Sequence, residues 1–463
     1  MMGYRAYPEY RESRIEWLGK CPAHWDVIAI KQLTPVRRGA SPRPIQDPKY
    51  FDDEGEYSWV RIADVTANNH YLEETTQRLS ALGKSLSVPL EPGSLFLSIA
   101  GSVGKPMIAN IKCCIHDGFV YFPYYQHDTE FLYYIFECGQ AFLGLGKLGT
   151  QLNLNTDTVG SIKIGLPPIE EQQKIASFLA CKTAQIDHLI EKKQELIEKL
   201  QEQRSSIITT AVTRGVNAQV LTGPCAQDWL GGAPEHWEKN YKLNFLSTDD
   251  RNSFVNGPFG SDLLTSELVN HGVPVIYSGD IKETGFQRKS DKYVTEEKAK
   301  QLDFCRVDGG NILLAKVGDP PGDACVYPMD QPSGIVTQDV VRIKVDKGTV
   351  DAEYLCLLLN SKYGRHLVKR VSVEATRGRF SLADLKSIRH ILPPLEEQQE
   401  IVLYIQQQMK RCNRLSDLAT REIEALQEYR SALITAAVTG QIDVRDWQAP
   451  EVPEQSAQDK EVI

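Results

Sequence analysis

Two short glycine-containing runs come nearest to catalytic constellations, and each lacks the group that would do the chemistry. Gly83-Lys84-Ser85 ends like a phosphate-binding loop, but Arg78 stands where the first glycine of G-x-x-x-x-G-K-[ST] is required. Gly318-Asp319-Pro320-Pro321-Gly322 resembles the Asp-Pro-Pro-aromatic motif that holds an extruded base, yet Gly322 replaces the ring that would stack on it. No glycine-rich loop after a strand offers a methyl-donor site, and no pair among the many carboxylates is marked as an acid/base couple. The ten cysteines include no C-x-x-C, and Cys113-Cys114 has no His or Cys partner at metal-ligand spacing. Reduced structural thiols, no metal site and no catalytic residues are therefore expected.

Basic and amide side chains are the better candidates. Arg37, Arg38 and Arg43 fall on one turn-like run, and residues 362–379 hold Lys362, Arg365, Lys369, Arg370, Arg377 and Arg379 against the single Glu374. Guanidinium forks suit phosphates and the guanine edge, whereas Gln151, Asn153 and Gln338 carry the amides that suit adenine. Lys105 and Lys316 complete the candidate set for contacting DNA. The net charge of -9 opposes a sequence-blind DNA binder, but its distribution is uneven. Residues 392–463 contribute -6, while residues 238–391 come to +1. A groove reader remains compatible with that balance.

The elements that must position these residues are duplicated. Leu166-Pro167-Pro168-Ile169-Glu170-Glu171-Gln172-Gln173 returns as Leu392-Pro393-Pro394-Leu395-Glu396-Glu397-Gln398-Gln399, and 21 of the 48 residues from Leu166 to Thr213 recur at an offset of 226. This is an internal repeat. A Pro-x-His-Trp signature, Pro22 to Trp25 and Pro234 to Trp237, recurs at an offset of 212 and opens each unit. His24 and His236 read as structural, packed beside the tryptophans. Between signature and motif, residues 26–165 and 238–391 show the same order of strand-like and helical runs with largely different residues. One scaffold with two loop sets suggests two recognitions of one kind but of different targets.

Each motif opens a long helical pattern with proline and glutamates at its start, where they cost least and favour the helix dipole. A 4-3 spacing picks out Ile175, Leu179, Ile186, Leu189, Leu196 and Leu200 in the first helix, interrupted by Lys182 and Lys193. The second shares the register through Ile401, Ile405, Leu415, Leu426 and Leu433. Each stripe needs a cover, and antiparallel pairing of the two is the simplest arrangement. Some 40 helical residues would make a rigid spacer on the order of 60 Å long. No run of 463 residues approaches the roughly 20 apolar residues of a membrane span, so a cytoplasmic protein is expected. The tail from Gln448 onward, acidic and without apolar period, reads as disordered.

These motifs, the long helices, their Ile-x-x-Ala-Val-Thr ends and the twofold unit resemble the specificity (S) subunit of type I restriction-modification enzymes, over nearly the whole chain. The resemblance implies an α+β fold: two similar mixed α/β target-recognition domains separated by two long helices forming an antiparallel coiled coil. The expected boundaries are 1–165 and 216–391 for the recognition domains, 166–215 and 392–440 for the helices, and 441–463 for the tail. It further implies double-stranded DNA as ligand, two modification (methyltransferase) subunits carrying S-adenosylmethionine, and restriction subunits that use ATP and Mg for translocation and cleavage. No cofactor is expected on this chain. A coiled-coil scaffold without DNA recognition is the rival reading, and a fused methyltransferase or nuclease would need a pocket that the sequence does not offer.

Overall fold

The computed structural model describes residues 4–143, 145, 154–217, 219–223, 232–258, 260, 262–318, 321–372 and 378–450. The chain forms two compact units, one made of residues 1–193 and 421–463 and the other of 194–420. Each unit takes half of each long helix, Ile169–Arg214 and Leu395–Val438.

In the first unit, Phe119–Tyr121 and Leu95–Ser98 are central in a sheet ordered Arg37–Arg38, Phe119–Tyr121, Leu95–Ser98, Pro106–Ala109 and Tyr71–Leu72. A second sheet runs Arg78–Leu79, Tyr57–Val60, Cys113–Ile115 and Val88–Leu90, with its central pair parallel. The second unit repeats the plan. Its sheets run Phe254–Asn256, Val340–Ile343, Ile312–Ala315, Ala324–Val326, and Tyr293–Val294, Val273–Ile276, Gly334–Val336, Arg306–Val307, again with a parallel central pair. The strands Tyr57–Val60, Leu95–Ser98, Phe119–Tyr121, Val273–Ile276, Ile312–Ala315 and Val340–Ile343 and the helices Thr129–Glu137 and Ala352–Asn360 fall on runs expected from β-branched and aromatic clusters between turn residues.

The repeated motif explains itself through two adjacent side chains. Buried Glu171 accepts hydrogen bonds from Tyr7 Oη (2.6 Å) and Trp25 Nε1 (2.9 Å), and His24 Nε2 lies 2.8 Å from its other oxygen. Next to it, Gln172 donates to the Pro167 carbonyl and accepts from the backbone N–H of Asp128, the residue that caps Thr129–Glu137. The second copy does the same. Glu397 binds His236 (2.8 Å) and Trp237 (3.0 Å), while Gln398 bridges the Pro393 carbonyl to the N–H of Asp351, the cap of Ala352–Asn360. Both histidines are structural, as their setting beside tryptophan suggested.

Within each unit, the start of one long helix packs on the end of the other. Ile175, Phe178 and Leu179 share a core with Leu433, Ile434 and Val438, and Ala211 and Val212 share one with Ile401, Val402 and Ile405. The pairing is therefore antiparallel in both units. In the first, Arg430 Nε–Asp187 Oδ1 at 2.9 Å and Lys193 Nζ–Glu422 Oε2 at 2.5 Å descend one helix as they climb the other. Lys193 thus has the polar partner its place in the stripe demanded. Both helices end on a left-handed glycine in close contact: a Cβ on Gly440 would meet Pro22 Cδ at 2.4 Å, and one on Gly215 would meet Glu397 Oε1 at 2.8 Å.

The seam departs from the expected one in its middle. Ile175, Leu179, Ile186, Leu200, Ile401, Ile405 and Leu433 are buried and Leu426 is half-buried, but Leu189, Leu196 and Leu415 are 48%, 40% and 43% exposed. The covered positions are Ile190, Lys193, Ile197 and Leu200 on the first helix, and Cys412, Ser416 and Ala419 on the second. Leu189-Ile190 and Leu196-Ile197 are apolar pairs, so the sequence satisfies either of two adjacent stripes; the packed helices select the later one.

Two stability outcomes follow. Leu179→Ala should cost roughly 2–5 kcal/mol in denaturant unfolding, whereas Leu196→Ala should stay within about 0.5 kcal/mol; equal losses would return Leu196 to the seam. His390, in the strand Arg389–Leu392, is fully buried, bonds the Ile391 carbonyl through Nδ1 and has no partner at Nε2 among the described residues. Burial pushes its pKa down to about 4, so the unfolded chain binds the extra proton first and stability falls as pH drops from about 6.5 towards 4. Ile164 fills the matching place of the first unit, so His390→Ile should flatten the pH dependence of unfolding in that window.

Candidate nucleic-acid interface

Charge at the surface of the first unit is arranged around Asp117, which follows the strand Cys113–Ile115. Its carboxylate accepts from Ser41 Oγ at 2.9 Å and pairs with Arg43 at 3.2 Å, while its carbonyl accepts from Arg38 Nε. Burial pushes this carboxyl up, but the Ser41 bond and the Arg38 and Arg43 charges outweigh it and hold the group below the usual carboxylate range. Arg37, Arg38 and Arg43 are exposed and so can present their forks outward. Lys105 is turned inward instead: its ammonium donates to the Asn68 carbonyl at 2.8 Å, and burial lowers its pKa.

In the second unit the structure gathers three expected residues. Pairing of Val317 with Arg379 sets Arg379 beside Lys316, and both face Asp339, the neighbour of Gln338 in sequence. Arg379 Nη2 lies 3.8 Å from Asp339 Oδ1, and the Lys316 N–H donates to the Asp339 carbonyl. Burial, helped by the Arg379 charge, lowers the Lys316 pKa. Lys369 and Arg370 are exposed in the last turn of the helix Lys362–Val371. Gln151, Asn153 and Arg377 lie outside the described residues.

Strand register aligns the two units residue by residue. Arg38 pairs with Val120 as Asn256 pairs with Val341, and the Gly39 and Gly257 amides donate to the carbonyls of Phe119 and Val340. The turn from His116 to Phe119 thereby matches the turn from Thr337 to Val340, each closed by the same backbone bond. Gln338 therefore stands where Asp117 stands, and Asn256 where Arg38 stands. The frame is common; the polar side chains on it are not.

Sequence reasoning passed over a cleft beside this turn. Residues 41–46 and Trp59, Arg61, His116 and Asp117 enclose ≈ 770 Å³, and an adjoining hollow adds Asp52, Asp53 and Gln77. Arg61 and His116 come together because Val60 and Ile115 are partners in the parallel pair and each is the last residue of its strand. Burial lowers the His116 pKa, and its Nδ1 accepts from the Gly118 N–H at 2.8 Å, leaving Nε2 to carry the proton of the neutral ring. The one available signal was a shared spacing: Arg61 and Tyr277 each end a strand-like run and precede an aspartate, Asp64 and Asp280, by three residues.

The family described as type I restriction modification DNA specificity domain matches twice, over residues 22–199 and 261–425. The chain is 22% identical over 437 residues to the type I restriction enzyme MjaVIII specificity subunit of Methanocaldococcus jannaschii, covering 92% of this chain and 95% of that protein. It is 21% identical over 457 residues to the type I restriction enzyme EcoKI specificity subunit of Escherichia coli, covering 93% and 92%. Among solved structures, a chain from work on complex assembly and conformational transition of the type I R-M system superposes with a TM-score of 0.69 at 14% identity, covering 91% of this chain and 99% of that one. The HsdS subunit from Thermoanaerobacter tengcongensis gives 0.54 at 15%, covering 91% and 98%. At such identities the structural likeness establishes the fold.

Proposed function

Because the chain belongs to the type I restriction modification DNA specificity domain family, we propose that each globular unit reads one half of a bipartite sequence in double-stranded DNA. The long helices set the gap between the half-sites and dock two methyltransferase subunits. One observation carries this reading: two units built on one strand frame carry different polar side chains at matching places, as at Arg38 and Asn256 or Asp117 and Gln338. A scaffold without DNA recognition would need no such divergence. We place the recognition domains at 1–165 and 216–391 and the helices at 166–215 and 392–440; of the expected tail, 441–463, Ile442 and Val444 are instead buried in the first unit's core.

Chemistry resides on the partners in this reading. The modification subunits bring S-adenosylmethionine and methylate adenine, and restriction subunits bring ATP and Mg; this chain selects the site in the cytoplasm. At about 1.5 Å per residue, 46 and 44 residues give helices on the order of 65–70 Å long. Exposed Leu189, Leu196 and Leu415 leave apolar surface on their flanks for a docked subunit.

Mapping methylated adenines in DNA from cells holding this chain and its methyltransferase partner should return one bipartite site; an assembled complex without sequence preference would support the scaffold instead. Methyl transfer by the purified chain alone would count against a non-catalytic role. Inserting seven residues into both helices, beside Lys193 and Glu422, keeps the seam register and adds about 10 Å, or roughly three base pairs. Both half-sites should stay readable with a wider gap. An unchanged gap would remove the spacing role.

A further inference from the structure

At the strand ends that carry Arg61 and Tyr277 the two units share a backbone arrangement and differ in side chain. In the first unit the Arg61 N–H donates to Asp64 Oδ2 at 2.8 Å; in the second the Tyr277 N–H donates to Asp280 Oδ2 at 2.9 Å. Both aspartates are almost fully buried, 4% and 1% exposed. Each turn directly follows the central strand of a parallel pair, Tyr57–Val60 beside Cys113–Ile115 and Val273–Ile276 beside Gly334–Val336. The backbone at these two positions is thus fixed by the same bond to the same residue type. Nothing in that frame requires an arginine in one unit and a tyrosine in the other.

What the two side chains share is availability on a rigid base. The Arg61 side chain is 41% exposed, its Nη2 is held by Thr76 Oγ1, and its Nε lies 3.5 Å from Asp64 Oδ2 without a hydrogen bond. The fork is oriented but not used up. Tyr277 is half-buried, and its hydroxyl makes no hydrogen bond among the described residues. Around Arg61 the amides of Gln46 and Gln77 are likewise unpaired among the described residues, and Asp53 opens onto the same hollow. Trp59 forms the floor but is only 3% exposed, so it offers no face for a stacked base.

That mixture decides the ligand. A phosphate takes donors only and would be repelled by Asp52 and Asp53, whereas a base-pair edge in the major groove presents donors and acceptors together. We propose that Arg61 and Tyr277 are matching specificity-determining positions, each contacting base edges of its own half-site, with Gln77 supporting Arg61 in the first unit. This rests on the reading of the units as DNA readers. It adds residues outside the arginine-rich turn, where Arg43 is paired with Asp117. Thr337-Gln338 lies beside Tyr277 as His116-Asp117 lies beside Arg61, since the Thr337 N–H donates to the Ile276 carbonyl at 3.0 Å.

The test is the methylated-adenine map of the full chain assembled with its methyltransferase partner, compared for wild type, Arg61→Gln and Tyr277→Ala. Arg61→Gln should relax one or two positions of one half-site by roughly tenfold or more, and Tyr277→Ala should do so in the other half-site, with the gap unchanged. Should Arg61→Gln fail to assemble, Gln77→Ala carries the same expectation for the first unit. Wild-type stringency in both half-sites, or a uniform fall in methylation with the sequence kept, would overturn the assignment while leaving the DNA-reading function intact. A wild-type complex that yields no bipartite site would instead overturn that function.

Discussion

A carboxylate largely withdrawn from water in the first turn of a helix has two demands, a supply of donors and a place near the positive end of the helix dipole. Glu171 and Glu397 meet both. Their donors come from chain segments about 150 residues earlier, the His-Trp pairs at 24–25 and 236–237, so each carboxylate ties the opening of its unit to the helix that closes it. The glutamine that follows each one ties in a third segment by bonding the cap of a core helix. Remove the carboxylate and an indole N–H is left buried without a partner. The duplicated motif is therefore less a helix start than a joint where three segments meet, and the strand frames that carry the polar side chains are oriented from it.

Much of this was legible in the residues. The repeat, the Pro-x-His-Trp signatures, the two long helices and the main strands all stand out because local periodicity and turn chemistry specify them directly. That Trp25 and Glu171 bond each other was not legible, although both were visible as repeated marks, because partnership across such a distance leaves no spacing to read. The helix seam shows a different limit. Leu189-Ile190 and Leu196-Ile197 make neighbouring stripes equally apolar, and only the packed partner distinguishes them. Of the candidate contact residues, Arg37, Arg38 and Arg43 are exposed, although Arg37 and Arg38 lie on a paired edge strand and not on the turn expected for them, and Lys105 is satisfied by a backbone carbonyl of its own unit. Charge alone could not separate those cases.

The two units also show how a duplicated frame diverges without coming apart. Positions that hold the backbone, such as the buried Asp64 and Asp280 or the half-buried capping Asp128 and Asp351, keep their residue type. Positions facing outward from the same turns do not. Some divergence reaches the interior: His390 replaces Ile164, and Arg342, paired opposite Val255 as Tyr121 is opposite Arg37, is buried and donates from its guanidinium to the Phe304 carbonyl. Such polar groups in one core and not the other give the units different sensitivities to pH and to packing changes.

The division of the long helices sets an order on biosynthesis. The second unit is one uninterrupted stretch, residues 194–420, and all of it leaves the ribosome before the first unit can be finished. The first unit's core includes Leu433, Ile434, Val438, Ile442 and Val444, and Asp443 donates its N–H to the Arg5 carbonyl near the opposite terminus. Domains usually close in the order they are translated. Here the segment made first waits longest, with Trp25, Phe178 and Leu179 lacking their cover until the last turns of the second helix arrive. A chain stalled or cleaved between the two units would expose that apolar surface to chaperones and proteases, so this fold makes completeness of translation a condition of stability.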